Sequence, residues 1–136
     1  MAFVAAALLA GCASVTVSGR NIDGTAWRAT SVAGMAPVAG REPTLRFENG
    51  WLNGSGGCNG ITSQAPIVIV NDRLEPLDML ITAGQCLTGD GREIDPVMPV
   101  EQMFWSALAA ADHIALRGDD LVLGGPKGEI VLVPDR

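Results

Sequence analysis

Cys58, Cys86 and His113 are the side chains of this sequence best equipped for chemistry, and the first has an unusual setting. Cys58 lies in Asn53-Gly54-Ser55-Gly56-Gly57-Cys58-Asn59-Gly60, one thiol among four glycines and two asparagines. A Walker-type phosphate cradle would end in Gly-Lys-Ser/Thr, and no lysine is near. The dinucleotide fingerprint would need glycine where Asn59 stands and a helix after it. A nucleophilic thiol needs a base or a positive neighbour to lower its pKa from about 8.5. His113, the sole histidine, falls at a helix–strand junction, where a partly buried structural ring is the simpler reading than a catalytic partner. Zinc would have to draw on Cys58, Cys86 and His113 without any C-x₂-C spacing. The pattern predicts no catalytic residue, no metal and no cofactor.

The remaining role for Cys58 is half of a disulfide, which requires an oxidising compartment. The N-terminus supplies a reason to expect one. Residues 1–12, MAFVAAALLAGC, form an apolar run far shorter than the ~20 residues of a spanning helix. The run is similar to the core of a secretion signal ending in a lipobox, Leu9-Ala10-Gly11-Cys12, in which the cysteine is lipidated. No Lys or Arg precedes Arg20, so the basic start of such a signal is expected upstream of this sequence. Lipidation of Cys12 leaves Cys58 and Cys86, an even pair 28 positions apart. On the chain-entropy model, closing that loop stabilises the fold by roughly 3.5 kcal/mol. Two buried free thiols are the alternative. With a bridge, the glycines have a structural task, because a sharply bent strand and a close backbone approach both favour residues without Cβ. Asn59 tolerates positive φ or bonds neighbouring backbone.

Two further motifs reduce to turn chemistry. Arg117-Gly118-Asp119 spells an adhesion tripeptide but falls at an expected hairpin turn. Asp90, Glu93 and Asp95 share a loop without the alternating ligands of a calcium loop, and Asp95 is placed to cap a helix. The formal net charge is −6. No cluster of Lys and Arg marks a nucleic-acid footprint, and the acidic balance disfavours tight binding to anionic lipid.

The elements that must position these residues are mostly short strands. In 136 residues there are 17 glycines and 8 prolines, punctuation that suits turns and strands better than a bundle. Residues 13–23 are small and polar and read as a flexible tether. The domain proper is expected over 24–136, opening with a strand at Trp27. In TLRFE, Leu45 and Phe47 point one way and Arg46 and Glu48 the other. Asn49-Gly50 is a type I′ hairpin signal leading into a strand at Trp51. Ile67–Val70 reads as a strand, turning at Asn71-Asp72. One helix is predicted after Asp95 and Pro96, with Val100, Met103, Phe104, Ala107, Leu108 and Ala111 on its apolar face and Trp105 at the edge. HIALRG, DLVLGG and EIVLVP close the chain as strands. The expected fold is α+β: a strongly curved, nearly closed antiparallel sheet of about seven or eight strands with one packed helix.

These residues resemble the META domain family, also called HslJ-like. The opening is Gly24-Thr25-Ala26-Trp27-Arg28, the next strand Pro43-Thr44-Leu45-Arg46-Phe47, and the specific signature Gly54-Ser55-Gly56-Gly57-Cys58-Asn59. A second cysteine segment follows at Thr82-Ala83-Gly84-Gln85-Cys86, then the helix and a closing Leu121–Leu123 strand. Trp27, Gly54, Gly56, Gly57, Asn59 and Thr82 thus occupy motif positions. Ala83 stands where the family often has arginine, the aromatic positions after the first cysteine are missing, and the link LTGDGREID is longer than usual. The resemblance implies a non-catalytic envelope lipoprotein, associated with heat-shock induction and antibiotic tolerance. It would be tethered at Cys12 on the periplasmic side and contact another envelope component or ligand. Ala13 after the lipidation cysteine favours the outer membrane. A carrier of small apolar ligands, enclosed by the curved sheet, and a redox protein using Cys58 are the alternatives.

Overall fold

The computed structural model describes residues 16–82 and 84–136; Cys12 and the apolar run before it lie outside the described residues. A short helical turn, α1 (Gly19–Ile22), is followed by β1 (Thr25–Val32), β2 (Thr44–Glu48), β3 (Trp51–Ser55), β4 (Gly60–Ser63), β5 (Ile69–Val70), β6 (Arg73–Leu74) and β7 (Met79–Ile81). Then come the long helix α2 (Val97–Ala110) and the strands β8 (His113–Arg117), β9 (Asp120–Gly124) and β10 (Ile130–Pro134). All ten strands belong to one antiparallel sheet in the order β5-β6-β8-β9-β10-β1-β2-β3-β4-β7. It curls into a half-barrel around its core, with α2 packed chiefly against β1, β9 and β10.

The strand patterns follow the pleat. In β2, Leu45 and Phe47 are buried while Arg46 and Glu48 are exposed. Asn49 and Gly50 both take positive φ, as a type I′ turn demands, and so do Asn71 and Asp72. In β1, Trp27 and Ala29 face the core, but the register slips between Ala29 and Ser31 against β10. That bulge changes the phase, so Val32 and not Ser31 is buried. Phe47, Phe104, Leu45, Leu52, Leu108, Ile114, Leu121, Leu123, Ile130 and Leu132 fill the space inside the curl.

The sheet departs from expectation in strand number and in closure: among the described residues it has ten strands rather than seven or eight, and it is an open half-barrel with β5 and β7 as its edges. Both differences have one origin. Residues 64–78 form a bent hairpin running from the β4–β7 end of the sheet to the β5–β6 end. Its backbone bonds, Gln64 N–H to the Asp78 carbonyl and Glu75 N–H to the Val68 carbonyl, flank Pro66 and Pro76. Proline has no N–H to donate, so the ladder breaks there into two-residue strands. The predicted strand over Ile67–Val70 is accordingly only Ile69–Val70.

Part of the expected tether is also docked. Val17 and Ile22 are 1% and 3% exposed and belong to the core. Ser18 and Asn21 form a reciprocal capping box around α1, and the Val17 N–H donates to Asp72 Oδ1 at 2.6 Å. Two apolar side chains spaced five residues apart are enough to seat an otherwise polar segment. Among the described residues no helix is long and apolar enough to cross a membrane.

Candidate functional site

The glycine-rich stretch is the bend that carries β3 into β4, and it lies against the first turns of α2. Gly54 pairs with Leu45 across the sheet, and a Cβ there would run into the Thr44 carbonyl. At Gly56 a Cβ would stand 2.5 Å from Glu101 Cγ and 2.6 Å from Trp105 Cζ2. Gly57 has φ 109° and leaves no room beside Val97. The backbone therefore touches helix side chains at contact distance, which is the reason for glycine at these positions.

At the centre of the bend is Glu101, 1% exposed, in the middle of the buried stripe Val97, Val100, Phe104, Ala107 and Leu108. Its Oε1 accepts the backbone N–H groups of Cys58 at 3.0 Å and Asn59 at 2.6 Å. Its Oε2 accepts from Asn59 Nδ2 at 2.7 Å. A buried carboxylate is tolerable when donors surround it, and here backbone and amide dipoles take the place of a cation. Met103, assigned to the apolar face from the sequence, is 37% exposed instead. The helix is rotated so that Glu101 takes the inward position. Trp105 covers the edge, its ring 5.2 Å from that of Phe104.

Asn59, 7% exposed, holds the second cysteine segment. Its Nδ2 donates to the Gly84 carbonyl at 2.7 Å and its Oδ1 accepts the Gly84 N–H at 2.8 Å, a two-bond clasp on one residue. Thr82 extends the contact: its Oγ1 accepts the Gly60 N–H at 3.0 Å, and its own N–H reaches the Gly60 carbonyl at 3.1 Å. Beside this clasp, Cys58 and Cys86 are joined as a disulfide with Cα atoms 6.1 Å apart. From the other side Arg41 grips the bend, with Nε and Nη2 donating to the Gly57 carbonyl at 3.2 and 3.1 Å and Nη1 to Asp95 at 2.9 Å. Asp95 also accepts the Val97 N–H at 2.9 Å and so caps the helix. That N–H first, and the Arg41 guanidinium after it, hold the Asp95 carboxyl below the usual carboxylate range.

The structure thus gathers Gly54, Gly56, Gly57, Cys58, Asn59, Thr82 and Cys86 into one cluster. Trp27 is elsewhere, buried in β1 with its Nε1 donating to Thr25 Oγ1 at 2.7 Å. His113 stands at the head of β8, paired with Asp112 and more than half exposed. Glu101 and Arg41 escaped the sequence reading. The available signal for Glu101 was a charge falling mid-stripe on an apolar helix face. For Arg41, within a loop, there was none.

Each polar group of the cluster has its partner inside the cluster. Glu101 is occupied by three donors, the thiols are joined to each other, and Asn59 bridges the helix to Gly84. Such an arrangement locks a bend.

No curated protein matches the chain. Its fold is similar to two structures solved by NMR. One aligns with a TM-score of 0.67 at 16% identity, over 86% of this chain and 94% of its own. The other, from Burkholderia xenovorans, aligns with a TM-score of 0.65 at 17% identity, over 86% of each chain. At those identities the likeness concerns the fold. The model of the META domain matches residues 20–135, a span that includes both cysteine segments, the helix carrying Glu101 and the closing strands, and the chain belongs to the META domain family.

Proposed function

We propose that this is a non-catalytic META domain of the HslJ-like kind, exported and tethered by lipid at Cys12 on the periplasmic side of the envelope as an outer-membrane lipoprotein. Its role is to contact another envelope component under stress or antibiotic challenge. The observation that carries the non-catalytic reading is the self-satisfied cluster, in which Glu101, Asn59 and both cysteines are consumed by structure. The export reading is supported by the lipobox-like Leu9-Ala10-Gly11-Cys12 and by a disulfide, a bond that persists in oxidising compartments. A carrier of apolar ligands would need a cavity inside the curl, and the large side chains buried there, Phe47 and Phe104 among them, weigh against that reading.

The test is non-reducing peptide mass mapping of protein taken from its native envelope. An acylated Cys12 peptide together with a linked Cys58–Cys86 peptide is the expected result. An unprocessed N-terminus with thiols at 58 and 86 would overturn it.

A further inference from the structure

The Cys58–Cys86 bridge ties down a segment that little else holds. None of residues 84–95 is buried, and Leu87 and Ile94, which pair across the base of the loop, are 48% and 57% exposed. The segment gives nothing to the core. Its other links to the body are the part-buried Asn59 clasp on Gly84 and, at its far end, Asp95, which pairs with Arg41 and accepts the Val97 and Met98 N–H groups, each bond of modest net strength. Beneath it lie two buried polar side chains, Asn59 and Glu101. Cys58 and Cys86 themselves are only half-buried, so a thiol can reach them.

We propose that the bridge is a thiol–disulfide exchange site, a latch by which a dithiol reductant releases residues 84–95 and uncovers the Asn59 amide beside Glu101. The donor's first thiolate attacks one cysteine sulfur, forming a mixed disulfide and expelling the other cysteine as a thiolate. The donor's second thiolate then displaces the linked cysteine. The S–S bond of the protein is reduced by two electrons, the donor leaves as its own disulfide, and its two thiol protons end on Cys58 and Cys86. The sheet remains folded because its core lies on the other elements, whereas 84–95 regains the backbone freedom that the bridge denied it. The proposal rests on the bridge alone and not on lipidation, so it stands or falls separately from the anchor.

Hydrogen exchange on the full chain, oxidised and after native treatment with dithiothreitol, tests it. Amides of 84–95 should exchange at least about tenfold faster after reduction while β9 and β10 stay protected. The Cys58→Ser/Cys86→Ser variant should show the same pattern without reductant; if that variant does not fold, reduction of the folded wild type still decides. A bridge that resists dithiothreitol under native conditions overturns the proposal. So does an unchanged loop, or a loss of protection spread evenly over the sheet, which would mark a global staple.

Discussion

Glu101 concentrates the energetics of the bend in one side chain. Truncation to alanine leaves the Cys58 and Asn59 N–H groups facing a hole, and each buried orphan donor costs ~1–3 kcal/mol. Glu101→Ala should therefore destabilise by roughly 3–5 kcal/mol in urea unfolding. Glu101→Gln keeps one oxygen for the two backbone donors but turns an amide NH₂ toward Asn59 Nδ2, and should cost less, about 1–2 kcal/mol. A loss below ~1 kcal/mol for the alanine variant would contradict the assigned role. The sequence pointed to the glycines, Cys58 and Asn59 because their types are unusual together. It did not point to their shared acceptor, because Glu101 is 42 positions from Asn59 and a charged residue on an apolar helix face is ordinarily assigned to its solvent side.

The entry into α2 is where an element depends on pH. Asp95 is held below its ordinary value of 3.8 by the Val97 N–H and then by Arg41. A depressed carboxyl contributes stability that is present above the unfolded-state pKa and is lost as pH falls through the folded one. The melting-temperature difference between wild type and Asp95→Asn should therefore be full at neutral pH, begin to shrink as pH approaches about 4, and vanish in stronger acid. A difference that stays constant with pH would sink that account. Elements were legible where local chemistry determines them: the Asn49-Gly50 hairpin, the closing strands β8 to β10, and the Asp95 cap. They were not legible where a distant strand decides the phase, as at the β1 bulge, or where the rotation of a helix is set by what it covers, as at Met103.

At the scale of the molecule, the sheet is strong in its middle and weak at its rims. β9, β10 and β1 carry Leu121, Leu123, Ile130, Leu132, Ala29 and Val32, each at most 1% exposed. The rims β5 and β7 are two and three residues long and show Val70 and Leu80 at 59% exposure. Native-state hydrogen exchange should rank them accordingly, with β9, β10 and β1 opening only near the global unfolding free energy and β5 and β7 at a small fraction of it. Equal protection at rim and centre would contradict this division. Curvature could be read from glycine-rich bends and a meander of short strands, but openness could not, since Pro66 and Pro76 are interruptions only once the hairpin bearing them is known to span the gap.

The pairing of β1 with β10, Trp27 opposite Pro134, has a consequence for how the chain is threaded. The first and last strands of the domain are neighbours in the middle of the sheet, and the stretch that bridges its two rims lies near mid-sequence. The backbone is in effect a ring, entered at its most protected seam. Read from β5 round to β4, sequence order and spatial order coincide for nine of the ten strands, β7 alone crossing over. A permuted domain opened near Pro66, with β10 joined to β1 beside Trp27, would keep every strand neighbour while moving the break in the strand sequence from the seam to the rim.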